Sequence, residues 1–444
     1  MRRMRNAVRG LFGAAVLVVL ALGAARADQV GLNVALGQPV LQAGGARTTY
    51  LKVGLTGFPL ERPEDRPPVN VAIVLDKSGS MQGEKIQKAR EAAVEAIRRL
   101  TPADIVSVIA YDDTVQVVVP ATKLSDPDAV IRAIRGIQAD GSTALFAGVG
   151  KGAAEVRKFL EADRVNRIVL LSDGLANVGP QSPEELGELG ASLRREGMSV
   201  TTLGLGLGYN EDLMARLAAT SDGNHAFIES ADELADIFGK EFGIGLAVVA
   251  KEVQIAIECA EGVRPLRILG REGEIDGGSV LVPIAQIYSR QERYVLVEVE
   301  VAAGIADQTR AVANVEVTYA NLQTRTTDRL QSRLAVRYTA EEDRVLSATN
   351  REVMVAAARQ IANDQSRLAL ALRDQGKVEE AQQLLERNYH YLEKEADRYA
   401  SPKLREDAKR NWKDAETITD EGRYREQRKR MVDEQLDLEA QPAY

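Results

Sequence analysis

The feature that most constrains this chain is an apolar strand that ends in a small polar turn and is followed at once by a helix. Residues 69–75 are apolar apart from Asn70, which is typical of a strand covered on both faces. Residues 85–100 then place apolar side chains three and four positions apart, the spacing of a helix with one buried face. A strand and a helix in this order form the opening of a doubly wound α/β sheet.

The same alternation continues as far as residue 243. Residues 104–111 and 115–119 are so close in sequence that they must pair as an antiparallel hairpin, which gives the sheet one reversed edge strand. Further strands are predicted at 167–172, 198–205 and 224–228, and further helices at 126–135, 144–160, 183–196, 211–219 and 231–242. The pattern predicts one α/β domain with a mostly parallel sheet over residues 67–245.

The apolar period changes to two on both sides of this domain, as it does in strands with one buried face. Strands are predicted at 29–36 and 48–55 before the domain, and at 251–259, 263–269, 291–301, 311–319 and 331–338 after it. Because two strands alone are only marginally stable, we expect the early pair to join the later set. The prediction is a β-sandwich, made of residues 28–66 and 246–339, into which the α/β domain is inserted.

The C-terminal region, residues 340–444, is predicted to be α-helical. Apolar side chains at helical spacing lie on both sides of the turn Asp374-Gln375-Gly376, which predicts a helical hairpin. One further charged helix is predicted from residue 402 to about residue 438, and its basic run at 423–430 is interpreted as a solvated face. We expect these helices to pack against the sandwich.

The N-terminal residues have the composition of an export signal. Residues 1–10 contain four arginines, residues 11–22 are apolar, and Ala25-Arg26-Ala27 places small residues where a signal peptidase reads them. We predict a signal peptide over residues 1–27, cleaved before Asp28, because the apolar run is shorter than the roughly 20 residues that span a bilayer. The mature chain is expected to be exported without a transmembrane segment. The periplasm is favoured over the cell surface, because no lipid or wall-anchor signal is evident.

Charge and composition exclude several classes of function. The chain has 57 Lys and Arg against 65 Asp and Glu, a net charge of −8, which argues against a general nucleic-acid-binding protein. Its one cysteine, Cys259, excludes an internal disulfide framework and a thiolate zinc site. The chain has two histidines, His225 and His390, and imidazole-based metal catalysis is therefore nearly excluded.

Polar side chains gather where strands of the predicted α/β sheet end. Asp76, Ser78 and Ser80 follow the first strand, Thr143 precedes a helix, and Asp173 follows the strand at 167–172. The carboxyl ends of parallel strands meet at one edge of a sheet, so we expect these five side chains to lie together. Carboxylate and hydroxyl oxygens are hard ligands, and with waters they suit Mg²⁺ or Mn²⁺.

These five residues resemble, in order and in position, the metal-ion-dependent adhesion site of the von Willebrand factor A domain family, and the resemblance extends over residues 69–242. It implies that Ser78, Ser80 and Thr143 ligate a metal ion directly, while Asp76 and Asp173 often act through water. It also implies an open coordination position that accepts an Asp or Glu carboxylate from a protein partner. The metal is expected to be Mg²⁺, with Mn²⁺ and Ca²⁺ left open, and the whole chain resembles exported bacterial proteins of this family.

A binding protein rather than an enzyme is therefore the favoured interpretation. One alternative is a metal-dependent hydrolase, because two carboxylates near an ion can activate water. It is disfavoured because the sequence offers no separate general base. A second alternative is a scaffold that acts through its helical tail. The resemblance further implies that the helix at 231–242 moves when ligand binds, with the sandwich as the receiver of that motion.

Overall fold

The computed structural model of the protein describes residues 29–62, 65–243 and 246–441. The signal peptide predicted for residues 1–27 lies outside these residues. Three strands precede the α/β domain: β1 (Gly31–Leu36), β2 (Val40–Gln42) and β3 (Arg47–Thr56).

The α/β domain is built on a six-stranded sheet with helices on both faces. Its strands are β4 (Val69–Asp76), β5 (Ile105–Tyr111), β6 (Val115–Lys123), β7 (Val165–Ser172), β8 (Met198–Leu205) and β9 (His225–Ile228). Its helices are α1 (Glu84–Arg99), α2 (Pro127–Arg135), α3 (Leu145–Arg157), α4 (Pro183–Arg195), α5 (Glu211–Thr220) and α6 (Leu234–Glu241). The strand order is β6-β5-β4-β7-β8-β9, and all pairs are parallel except the β5–β6 hairpin. The predicted fold class and its reversed edge strand are confirmed.

Burial explains the composition of the central strands, and local sequence explains where helix α4 begins. Every residue of β4, β5, β7 and β8 is buried, and most of these residues are apolar, as expected of strands covered on both faces. Helix α4 begins at Pro183 because the Ser182 hydroxyl accepts a bond from the Glu185 N–H and the Glu185 carboxylate reaches back to the Ser182 N–H. The predicted helix at 231–242 opens instead as a short 3₁₀ turn, Ala231–Glu233, before α6.

Seven strands follow the α/β domain: β10 (Val248–Cys259), β11 (Val263–Leu269), β12 (Glu274–Asp276), β13 (Ser279–Tyr288), β14 (Glu292–Val301), β15 (Thr309–Asn321) and β16 (Thr326–Thr339). They form two facing sheets with the N-terminal strands, in the orders β1-β3-β14-β11 and β12-β13-β10-β15-β16-β2. Strand β3 pairs along β14 from Arg47–Val301 to Thr56–Glu292. The α/β domain is thus inserted in a β-sandwich, as the sequence predicted.

The sequence prediction omitted β13, although this strand pairs with β10 over most of its length. The run contains Pro283, which lacks an amide donor and usually argues against an interior strand. In the structure Pro283 lies beyond the segment of β13 that pairs with β12, so that side needs no donor from it. The short strands β2 and β12 were omitted as well.

The C-terminal region consists of α7 (Glu342–Ala348), α8 (Arg351–Asp374), α9 (Val378–Tyr399), α10 (Pro402–Thr417) and α11 (Glu421–Ala440). The single helix predicted from residue 402 to about 438 is wrong, because two helices occupy this stretch. The Asp420 carboxylate accepts bonds from the Gly422 and Arg423 N–H groups at 2.9 and 3.3 Å and so caps a new helix. Within the described residues no helix is both long enough and apolar enough to span a bilayer.

Helix α11 packs on the α/β domain, and not only on the sandwich side of the molecule as predicted. Lys429 is buried and its ammonium donates to the Tyr209 carbonyl at 2.6 Å and to the Glu211 carboxylate. The Asp433 carboxylate accepts the N–H of Phe227, on edge strand β9, at 2.9 Å. The interpretation of residues 423–430 as a solvated face is therefore wrong at Lys429.

Candidate metal centre

The loop after β4 folds around the carboxylate of Asp76. The Ser78 N–H donates to Asp76 Oδ1 at 2.8 Å, and a 3₁₀ turn, Gly79–Met81, follows. The Gly79 N–H donates to the Gly141 carbonyl at 2.9 Å, which joins this loop to the one before α3. As a result the hydroxyl oxygens of Ser78 and Ser80 lie 3.1 Å apart.

The strand next to β4 supplies the second carboxylate. Asp173 follows the last residue of β7, and β7 runs parallel to β4. The Ser80 hydroxyl donates to Asp173 Oδ1 at 2.7 Å. The two strand ends therefore bring Asp76, Ser80 and Asp173 into one cluster, as parallel strands predict.

Thr143 is fixed to the same edge by the loop that follows Asp173. Its N–H donates to Asn177 Oδ1 at 2.9 Å, and its carbonyl accepts the N–H groups of Asn177 and Val178 at 3.1 and 3.2 Å. Thr143 is buried, so its hydroxyl is held by packing as well as by its backbone.

Three hydroxyl oxygens converge on one point beside Gly174. A methyl group placed on Gly174 would lie 3.0 Å from Thr143 Oγ1, 3.5 Å from Ser80 Oγ and 3.8 Å from Ser78 Oγ. The structure thus brings together all five residues that the sequence singled out. Three hydroxyls and two carboxylates are the donor set that a small hard divalent cation accepts, so the residues present fit such an ion.

The electrostatics of the cluster favour an added cation. Asp76 and Asp173 are both buried. Burial raises the pKa of Asp76 and the nearby charge of Asp173 adds to this, while hydrogen bonds from Ser172 and Ser78 oppose it. The ammonium of Lys85 pairs with Asp173. One lysine against two buried carboxylates leaves negative charge that a divalent ion would offset.

Sequence reasoning missed the residues that orient the five. The Ser172 hydroxyl donates to Asp76 Oδ2 at 2.6 Å, and Lys77 pairs with Asp112, whose pKa falls to about 2 although burial opposes this. Asn177 holds Thr143, and Lys85 contacts Asp173 from the first turn of α1. The position of Ser172, directly before Asp173 at a strand end, was the available signal for one of them.

The groups needed for acid–base chemistry lie elsewhere or are already bonded. His225 is buried, with Nδ1 2.8 Å from Thr202 Oγ1, and burial together with Lys429 lowers its pKa to about 4. His390 lies on α9, in the helical region.

Within residues 29–62, 65–243 and 246–441, no group of three or more His, Cys, Asp or Glu side chains is arranged to hold a metal ion.

Comparisons with known proteins agree with this fold. The family model for the von Willebrand factor type A domain matches residues 70–240. An uncharacterised protein of Synechocystis sp., sll0103, is 34% identical over 177 residues, which cover 40% of this chain and 41% of that protein. The chain thus spans less than half the length of the curated relatives that it matches first.

Two solved structures share most of the architecture. A von Willebrand factor type A protein from Catenulispora acidiphila has a TM-score of 0.66 at 17% identity, covering 84% of this chain and 89% of that one. The ArnB paralog VWA2 from Sulfolobus acidocaldarius has a TM-score of 0.58 at 18% identity, covering 88% of this chain and 97% of that one. At these identities the likeness concerns the fold. Residues 70–240 are accordingly a von Willebrand factor type A domain, carried by this chain between the strands of a β-sandwich.

Proposed function

We propose that this protein binds a protein ligand through a divalent metal ion, held at the edge of its von Willebrand factor type A domain. The observation that supports this most directly is the convergence of the Ser78, Ser80 and Thr143 hydroxyls beside two buried carboxylates. When bound, the ion would supply a Lewis-acidic position that attracts a carboxylate of the partner.

The residues of the proposed metal centre have different roles. The three hydroxyls are neutral donors for the ion, while Asp76 and Asp173 provide the negative charge that offsets it. Ser172 and Lys77 orient the loop through Asp76 and Asp112. We propose Mg²⁺ as the physiological ion, with Mn²⁺ and Ca²⁺ as the competitors to be measured.

The hydrogen bonding favours ligand binding over hydrolysis. Asp76 accepts bonds from the Ser172 hydroxyl and the Ser78 N–H, and Asp173 accepts from the Ser80 hydroxyl and Lys85. These bonds hold both carboxylates in place in the cluster, and the two histidines of the chain lie on β9 and α9, so no imidazole there acts as a separate general base. The geometry therefore supports an interaction module.

We also propose that the chain is exported, with the periplasm as its compartment. The support is the arginine-rich start, the apolar run and the Ala25-Arg26-Ala27 segment of the sequence. Mass spectrometry of the protein from fractionated cells tests this. A mature N-terminus at Asp28 in the periplasmic fraction is expected, and an intact Met1 in the cytoplasm would contradict it.

The binding proposal is tested by capture of envelope proteins on immobilised mature chain. We expect a partner to be retained in Mg²⁺ and released by EDTA. Thr143→Val, which removes a donor oxygen and preserves shape, should abolish this retention. The control Thr122→Val makes the same exchange at an exposed position of β6 and should retain the partner. Equal retention under all conditions would place the binding surface away from the metal centre.

A further inference from the structure

Three large apolar side chains are exposed around the candidate metal centre. Leu175 is 58% exposed, Val178 38% and Leu207 44%. The other exposed large apolar side chains of the described residues are distributed over other elements, namely Leu160, Ile275, Leu281, Ile305, Leu346, Leu368 and Trp412. Single exposed apolar residues are normal on a protein surface, whereas a group around a polar site marks an interaction surface.

Hydrogen bonds and packing hold the three residues beside the centre. Leu175 follows Gly174, which adjoins the three hydroxyls. The N–H of Val178 donates to the Thr143 carbonyl at 3.2 Å. Leu207 precedes Gly208, where an added methyl would lie 2.6 Å from the Asp173 carbonyl, so its loop packs directly on the Asp173 loop. We call Leu175, Val178 and Leu207 the apolar frame.

The apolar frame lies on the same loops as the residues of the candidate metal centre, or on the loop next to them. Strands β7 and β8 are parallel neighbours, so the loops after them leave the sheet side by side. A protein segment whose carboxylate reaches the hydroxyls comes next to the loops that carry the frame, and packing on the frame removes apolar area from water. A small carboxylate such as acetate reaches the ion without covering the frame.

We infer that the partner is a protein segment in which an Asp or Glu lies within two positions of a large apolar side chain, and that this side chain packs on the apolar frame. This rests on the proposed function, because the carboxylate needs the metal centre. Leu175 directly follows Gly174, which adjoins the hydroxyls, and successive residues of an extended chain are about 3.3 Å apart, so the neighbouring apolar side chain is expected one or two positions from the carboxylate. The metal centre provides charge complementarity, and the frame selects among acidic segments.

The test is a selection from a phage-displayed random peptide library on the immobilised protein in Mg²⁺, with elution by EDTA. We expect the eluted peptides to contain Asp or Glu next to Leu, Ile or Phe. Multivalent display makes weak metal-dependent binding detectable. Acidic peptides without an apolar neighbour would overturn the inference and leave the proposed function intact. If EDTA elutes no peptides, both are overturned.

A double variant, Leu175→Ser with Leu207→Ser, tests how much the apolar frame contributes to peptide binding, separately from the metal ion. Affinity for a selected peptide should fall about tenfold or more, as expected for the loss of two apolar contacts. Mg²⁺ affinity, measured by calorimetry on the same sample, should not change. The control Ile305→Ser alters a residue that is 78% exposed in the loop between β14 and β15 and should leave both affinities unchanged. Unchanged peptide affinity in the double variant, or a loss of Mg²⁺ binding, would overturn the inference.

Discussion

The ammonium of Lys85 forms an ion pair with the carboxylate of Asp173, one of the two buried acids of the candidate metal centre. Lys85 lies in the first turn of α1 and its side chain is 38% exposed. A positive charge in this position lowers the negative potential that attracts a divalent ion. It also holds Asp173 in place when no ion is bound, so the lysine has opposite effects on ion affinity and on the stability of the ion-free loop.

We expect Lys85→Met to raise the affinity for Mg²⁺ about tenfold, because it removes repulsion between an ammonium and a divalent ion in a partly buried site. Calorimetric titration with Mg²⁺ measures this. Lys88→Met is the matched control, since Lys88 lies on the same helix and pairs with Asp232 at 2.9 Å instead. A lower affinity in Lys85→Met would mean that its ordering of Asp173 outweighs the repulsion.

Mg²⁺ should stabilise the folded protein, because the ion binds a site that exists only in the folded chain. At a concentration 100 times the dissociation constant, the free energy of unfolding should rise by about 2.7 kcal/mol. Thermal unfolding with Mg²⁺ and with EDTA measures the difference. Thr143→Val should remove most of the Mg²⁺ effect, and Thr122→Val should preserve it. An equal Mg²⁺ effect in both variants would contradict the assignment of Thr143 as a donor.

The positions of Asp76, Ser78, Ser80, Thr143 and Asp173 could be predicted because they depend on features that sequence carries directly. Apolar runs give the strand ends, and parallel strands place their carboxyl ends at one edge. The contacts of Lys85 and Ser172 depend on side-chain direction in the folded loops, for which periodicity carries no signal. The five residues of the candidate centre could therefore be predicted from the sequence. The residues that orient them could not.

The packing of α11 on the α/β domain could not be predicted from the sequence, for a different reason. In sequence, Lys429 and Asp433 belong to a strongly charged helix, which is typical of a solvated surface. In the structure Lys429 is buried and Asp433 is half-buried against the α/β domain, where Lys429 contacts Glu211 and Asp433 accepts the N–H of Phe227. The partners are more than 200 residues away in the chain, so only the tertiary structure brings them together.

The docking of α11 should weaken as the pH rises. Burial and the nearby Asp437 raise the pKa of Asp433 from 3.8 to about 8. A raised pKa means that the folded state binds the proton more tightly, so this contribution to stability is complete below about pH 4 and is lost as the pH rises through about 8. Burial also raises the pKa of Glu439 to about 7, which adds to the trend.

Hydrogen exchange of α11 amides at pH 6 and pH 8, corrected for the intrinsic rate, measures this effect. Protection should fall at pH 8 in the wild-type protein. It should change less in Asp433→Asn, which keeps an oxygen acceptor for the Phe227 N–H and cannot ionise. The control Arg430→Met lies on the same helix and removes a surface ion pair with Glu229, the residue after β9, and it should retain the wild-type dependence. Equal pH dependence in Asp433→Asn would exclude Asp433 as the titrating group.

The last helix of the α/β domain is anchored by a buried ion pair. Glu241, at the end of α6, accepts a bond from Arg167 of β7 at 2.9 Å, and both side chains are fully buried. Thr201 and Asn224 donate to the same carboxylate, each at 2.9 Å. The guanidinium of Arg167 also donates to the Tyr288 hydroxyl of β13 at 2.7 Å, so the cluster links α6 to the sandwich. A shift of α6 that displaces Glu241 would break the Glu241–Arg167 bond.

Arg167→Met should therefore lower the free energy of unfolding by about 3 to 5 kcal/mol, because it removes one partner of a buried ion pair. Arg264→Met removes an exposed ion pair with Glu300 and should cost less than about 1 kcal/mol. Urea unfolding of the two variants measures both values. Adding Glu241→Met to Arg167→Met should restore much of the loss, since the double variant removes both charges of the buried pair. If the single and double variants are equally unstable, packing at Arg167, and not the charge of Glu241, dominates this junction.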